Sequence, residues 1–196
     1  NHATECRQQV MREENCFDFI LAGEADVTFP EFIDKYFSGG NYFKVPGLLY
    51  RDNGTIHENS LPKAVVDLDT LPFAAWHLYD MEKYYDIGMP HNPFLKYREY
   101  GQIITSRGCP AKCYFCSVPD FNGTAFRYFS AKRVINDVEN WVKDYSIKEL
   151  QILDDTFTTD WRRVVEIMKG IKKHKLRISL PNAIRGDYPK NIEQRK

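Results

Sequence analysis

The chain has 196 residues, of which 43% are hydrophobic and 28% charged, and Lys plus Arg equals Asp plus Glu at 27 each. This is the composition of a globular chain long enough for one ordinary domain or parts of two, and its charge balance gives no overall electrostatic case for a nucleic-acid or membrane partner. No apolar run approaches the ~18 residues that span a bilayer, and no signal peptide, solenoid repeat or low-complexity tract is visible.

In chain order, Phe17-Asp18-Phe19-Ile20-Leu21-Ala22 predicts a short buried strand ending at Gly23. Thr28-Phe29-Pro30-Glu31 predicts a helix start, with Thr28 as N-cap and Pro30 in the first turn. That helix carries Phe29, Phe32, Ile33, Tyr36 and Phe37 on one face and stops at Gly39-Gly40. Gly47-Leu48-Leu49-Tyr50 and Thr55-Ile56-His57 flank Asp52-Asn53-Gly54, a hairpin signal. Cys6 and Cys16 lie too far apart for a ligand pair and read as structural. Residues 59–101 read as a linker, because Pro62, Pro72, Pro90 and Pro93 break any long helix. Its aromatics, Phe73, Trp76, Tyr79, Tyr84 and Tyr85, with Leu78, are suited to anchor it on the next domain. His77 and His91 are isolated and read as surface residues.

The second domain is expected over 102–196. A strand at Gln102-Ile103-Ile104-Thr105-Ser106 runs into Arg107-Gly108-Cys109-Pro110-Ala111-Lys112-Cys113-Tyr114-Phe115-Cys116. The spacing Cys-x3-Cys-x2-Cys offers three thiolates from one loop. Three thiolates can hold three corners of a cubic iron–sulfur cluster and leave its fourth iron open to a ligand. A structural zinc site would need a fourth ligand from far away, a ferredoxin-type loop would need a fourth cysteine, and the odd total of five cysteines argues against disulfides. Unrelated core cysteines are the bland alternative. Gly108 lets the backbone approach a bulky group, and Pro110 keeps the segment out of a helix interior. Beyond the loop, Ser130 caps a helix to about Tyr145, and Glu149-Leu150-Gln151-Ile152-Leu153 is a strand. Thr158 or Thr159 caps a second helix carrying Trp161, Val164, Val165, Met168 and Ile171, and Arg177-Ile178-Ser179-Leu180 is a third strand. Strand–helix–strand–helix–strand predicts a parallel sheet of βα units. Asp154 and Asp155 then fall on the same rim as the cysteine loop, where a carboxylate can face an ammonium group. Arg185, after the third strand, can pair with a carboxylate of cofactor or substrate, and Asn182 is a weaker candidate.

The run from Arg107 to Cys116, with Phe115 just before the last cysteine, resembles the signature of the radical S-adenosylmethionine (SAM) superfamily. The resemblance implies that Cys109, Cys113 and Cys116 hold a 4Fe–4S cluster whose open iron chelates SAM, and that SAM is cleaved reductively to a 5′-deoxyadenosyl radical. It implies that Phe115 lies beside the adenine. The Asp154–Asp155 pair stands where the superfamily often has a glycine-glycine-glutamate motif that receives the SAM amino group. His2-Ala3-Thr4 and Phe19-Ile20-Leu21-Ala22-Gly23-Glu24-Ala25-Asp26 resemble the tail of the cobalamin-binding domain found in one subfamily, with Asp26 where that domain has a second Glu. Leu71-Pro72-Phe73 resembles the same subfamily's connector. The expected fold is α/β: a partial radical-SAM (βα) barrel over 102–196, truncated, preceded by the linker 59–101 and by the C-terminal tail of a Rossmann-like cobalamin-binding domain over 1–58. With no initiator Met, and room for about three βα units after Gln102, a fragment is expected. The implied function is cobalamin-dependent methyl transfer or a related C–H functionalisation or cyclisation on a small molecule. An electron donor such as a flavodoxin or ferredoxin and a cytoplasmic, reducing setting go with it. A methylthiotransferase and a non-catalytic iron–sulfur module are the alternatives.

Overall fold

The computed structural model describes residues 2–88, 95–182 and 184. Pro90, His91, Pro93 and Arg185, named above, lie outside the described residues. The chain divides into two compact units, Asn1–Val66 and Asp67–Lys196. The boundary falls inside the stretch read as a linker, so residues 59–66 go with the first unit and residues 67–101 with the second.

The first unit holds helices α1 (His2–Glu5), α2 (Arg7–Glu13) and α3 (Ala25–Ser38) and strands β1 (Phe19–Leu21), β2 (Leu48–Asp52) and β3 (Thr55–Glu58). Its sheet is antiparallel, in the order β1-β2-β3. Strand alternation sends Ile20 and Leu49 to one cluster with Met11 of α2, and Phe19, Leu21 and Leu48 to another with Phe32 of α3. The β2–β3 turn is the expected one, with Asn53 and Gly54 both at positive φ, 47° and 79°. Helix α3 starts three residues before the predicted Thr28, and its cap position is Glu24. Asp26 favours this earlier start by placing a negative charge in the first turn. Pro30 consequently lies inside the helix and Thr28 is buried. The Glu24 carboxylate accepts from the Val65 N–H at 3.3 Å, so it braces the chain rather than capping the helix. Gly39 closes α3 in the left-handed conformation at φ 72°, as expected.

The second unit contains α4 (Met81–Ile87), β4 (Tyr100–Ile103), β5 (Ser106–Arg107), α5 (Val118–Asn122), β6 (Arg127–Tyr128), α6 (Ala131–Tyr145), β7 (Glu149–Ile152), α7 (Trp161–Ile171) and β8 (Arg177–Ser179). Strands β4, β7 and β8 form a parallel sheet in that order, joined in sequence through α6 and α7. This is the predicted βα array, and its core packs one sheet face (Leu150, Ile152) against Val134, Val138 and Trp141 of α6 and Val164, Ile167 and Ile171 of α7. Two glycines permit the close approach. A Cβ at Gly101 would meet Trp141 and Ile147 at 2.9 Å, and one at Gly170 would collide with Ile135. Of the aromatics expected to anchor residues 59–101 on the next domain, Trp76 and Phe73 do so, while Tyr85 packs within the stretch itself. Trp76 packs on Trp141 at 4.8 Å, Phe73 lies 3.8 Å beneath the Arg133 guanidinium, and Tyr85 meets Tyr100 edge-on. Leu78, Tyr79 and Tyr84 are exposed.

Ser130 caps α6 as predicted, accepting the Arg133 N–H at 3.1 Å. Ser130→Ala is expected to cost about 1 kcal/mol, read as a lower denaturant midpoint at unchanged m-value. Helix α7 is capped by Asp160, which accepts from Arg163 N, and not by Thr158 or Thr159, which sit in a preceding 3-10 turn, Phe157–Thr159. A carboxylate at a helix start satisfies an open N–H and also meets the positive end of the helix dipole. Among the described residues no helix is long and apolar enough to cross a membrane.

Candidate functional site

The predicted strand at 102–106 is broken at Ile104-Thr105, and the cause is polar. Thr105 donates its backbone N–H to the Asp154 carboxylate at 2.5 Å and its hydroxyl at 2.6 Å, and the Ser106 hydroxyl donates to the same carboxylate at 2.5 Å. These bonds turn the chain at the carboxyl end of β4 toward the end of β7. From there it leaves the sheet in an excursion closed by the short antiparallel ribbon β5–β6, which pairs Ser106 with Tyr128 and Arg107 with Arg127. All three clustered cysteines lie in the excursion, with α5 on its return arm.

Gly108 sets the start of the loop. Its φ is +81°, and a Cβ there would collide with the Ala125 carbonyl oxygen on the return arm. The Cys109 N–H donates to the Gly123 carbonyl at 3.2 Å, which ties the two arms again one step further out. Cys109 and Cys116 are half-buried and Cys113 is exposed, and none of the five cysteines is in a disulfide. Tyr114 is fully exposed and Phe115 is 87% exposed, so the ring expected beside an adenine faces outward from this loop.

The two aspartates divide. Asp154 is 2% exposed and accepts hydrogen bonds at both carboxylate oxygens, so it braces the loop's base and has no open face for a ligand. Burial pushes its carboxyl above the usual range, against the opposing pull of the Ser106 and Thr105 hydrogen bonds and the Arg163 charge. Asp155 is half-buried and accepts from the Asn122 side chain of α5 at 3.0 Å, which places it against the cysteine excursion. Asn182 donates to the Leu153 carbonyl at 2.9 Å and so holds the rim after β7. The expected rim position of Arg185 lies outside the described residues.

Among the described residues, no three Cys, His, Asp or Glu side chains converge on a single metal-ion position. A zinc-type site gathers its ligands on one ion. A cubic cluster makes a different demand, because each cysteine binds a separate iron and the thiols need not share one point. Three thiols outside any disulfide, on one loop at the carboxyl rim of a parallel sheet, fit that donor set.

Sequence reasoning missed Thr105, Ser106, Asn122 and Arg163. Each acts across long sequence separations that no local spacing reveals.

No family model matches the chain. It is 34% identical over 178 residues to an uncharacterized methyltransferase of Pyrococcus horikoshii, covering 91% of this chain and 37% of that protein. It is 29% identical to the cytidylyl-2-hydroxyethylphosphonate methyltransferase of Streptomyces wedmorensis, covering 80% of this chain and 33% of the relative. The fold is shared with the cobalamin-dependent SAM radical enzyme OxsB, at a TM-score of 0.64 and 20% identity over 91% of this chain and 24% of that one. The chain is thus similar to methyltransferases over most of its length and shares the fold of a cobalamin-dependent SAM radical enzyme. It spans about a third of the length of the curated relatives above. The part of the chain set at the carboxyl rim of the parallel sheet is the cysteine excursion, with Asp155 beside it.

Proposed function

We propose that this chain belongs to an enzyme in which Cys109, Cys113 and Cys116 hold a 4Fe–4S cluster, and that the enzyme uses SAM and cobalamin for methyl transfer or a related C–H functionalisation or cyclisation on a small molecule. The observation that carries the reading is the Cys-x3-Cys-x2-Cys excursion at the carboxyl rim of a parallel sheet, in a chain whose relatives are methyltransferases. When bound, the cluster would supply the electron for reductive cleavage of SAM. The chain's own residues have separate tasks. The three thiolates serve as ligands. Phe115 offers an apolar ring on the open side of the loop, suited to cover a nucleoside base and exclude water. Asp155, held by Asn122 beside the loop, supplies the carboxylate that receives the SAM amino group. Asp154 holds the loop's base. Arg185 is proposed as a carboxylate partner for cofactor or substrate.

The division into 1–58 as the tail of a cobalamin-binding domain, 59–101 as connector and 102–196 as the start of a (βα) barrel is part of the same reading. It is supported by the parallel βα array of the second unit. A flavodoxin or ferredoxin would deliver the electron, and a reducing, cytoplasmic compartment would protect the thiols. Cys6 and Cys16 do not themselves supply a convincing second cluster for the methylthiotransferase alternative. Anaerobic reconstitution of the whole protein with iron and sulfide, followed by SAM and a strong reductant, is expected to release 5′-deoxyadenosine or methylated product. Failure to incorporate iron and sulfide would overturn the cluster assignment. Incorporation without SAM turnover would favour the electron-transfer alternative.

A further inference from the structure

Arg163 of α7 is only 5% exposed. Its Nε donates to the Phe129 carbonyl at 2.8 Å and its Nη2 to the Thr105 carbonyl at 2.7 Å. Thr105 and Phe129 are the residues on either side of the excursion 106–128, and they also bond to each other, Phe129 N–H to Thr105 C=O at 3.0 Å. The Thr105 backbone is therefore gripped at both of its polar groups, by Asp154 at its N–H and by Arg163 at its C=O. The Tyr128 ring lies 5.2 Å from the guanidinium, alongside the closing ribbon.

A buried guanidinium is costly, and an apolar residue would fill the same volume more favourably. This one directs two of its nitrogens to main-chain carbonyls and leaves Nη1 buried without a partner among the described residues, so packing alone does not account for it. Its planar fork suits a bridge between two acceptors, which a lysine ammonium reproduces poorly.

We propose that Arg163 is a positioning residue for the cluster. It pinches the base of the cysteine excursion so that the arm carrying Cys109, Cys113 and Cys116 leaves the sheet at a fixed angle. The proposal rests on the reading of those cysteines as cluster ligands. Supporting contacts around metal ligands typically change metal affinity by about 10–100-fold when removed.

The test uses the whole protein as wild type, R163K and R163M. Hydrogen exchange is measured on the iron-free form and iron loss to excess chelator on the reconstituted form. In R163M, residues 105–129 should exchange faster while β7 and α6 keep their protection, and iron should be lost about tenfold faster. R163K should fall between, because one ammonium holds one carbonyl well and bridges two poorly. Wild-type exchange in residues 105–129 together with wild-type iron loss would overturn the proposal. So would a rise in exchange spread equally through α6 and β7, which marks a general core residue. If R163M does not fold, R163K decides by the same two readouts. A wild-type protein that takes up no iron would overturn the cluster reading instead, and the iron-free exchange data would still show whether Arg163 closes the loop.

Discussion

On the proposed reading, replacing any one of Cys109, Cys113 and Cys116 by Ala is expected to strip the reconstituted protein of its iron and end reductive SAM cleavage. Each thiolate is expected to bind its own iron, and Cys6 and Cys16 lie outside the Cys-x3-Cys-x2-Cys run. The loss should exceed the ~10–100-fold that removal of a supporting contact costs. Cys6→Ala and Cys16→Ala serve as controls and should retain iron, sulfide and activity at wild-type levels. The readouts are iron and sulfide per chain, the charge-transfer absorption of the bound cluster, and 5′-deoxyadenosine formed. Full iron content in any of the three clustered variants would remove that cysteine from the ligand set.

Gly108→Ala is the second large effect. The left-handed backbone conformation alone should cost about 1–3 kcal/mol. The new Cβ also overlaps the Ala125 carbonyl oxygen, so the two arms of the excursion must part or the loop must refold. Gly123→Ala is the matched comparison. Its φ is also positive, +77°, its ψ of 171° lies in a region that glycine alone enters readily, and nothing lies near the position of its Cβ, so the conformational cost applies without the overlap. Denaturant unfolding of the iron-free protein should therefore rank wild type above both variants. Iron occupancy after reconstitution should fall in G108A more than in G123A. Equal values for the two variants would show that the arms do not need their close contact.

The parts of this fold that sequence made legible are those in which local chemistry and tertiary packing agree. The Asn53-Gly54 turn, the Ser130 cap, the stop at Gly39 and the alternation of helix and strand after the cysteine loop each rest on a few neighbouring residues. The cysteine loop was legible because its spacing is chemistry in its own right. Helix starts were less so. Asp26 draws α3 to an earlier start, and Asp160 displaces the two threonines as the cap of α7, because a carboxylate serves both the open N–H groups and the helix dipole. The different roles of Asp154 and Asp155 were invisible in sequence. Adjacent identical residues acquire them only when Thr105 and Ser106, nearly fifty positions upstream, meet one and Asn122 meets the other. Arg163 was invisible for the same reason, since its acceptors are main-chain carbonyls and carry no sequence signal.

Contacts that fix the cysteine excursion to its sheet include those of Thr105 and Ser106 with Asp154, those of Arg163 with Thr105 and Phe129, and that of Asn122 with Asp155. The base of the loop is thus braced by hydrogen bonds of the chain itself, whereas a zinc finger depends on its metal for its fold.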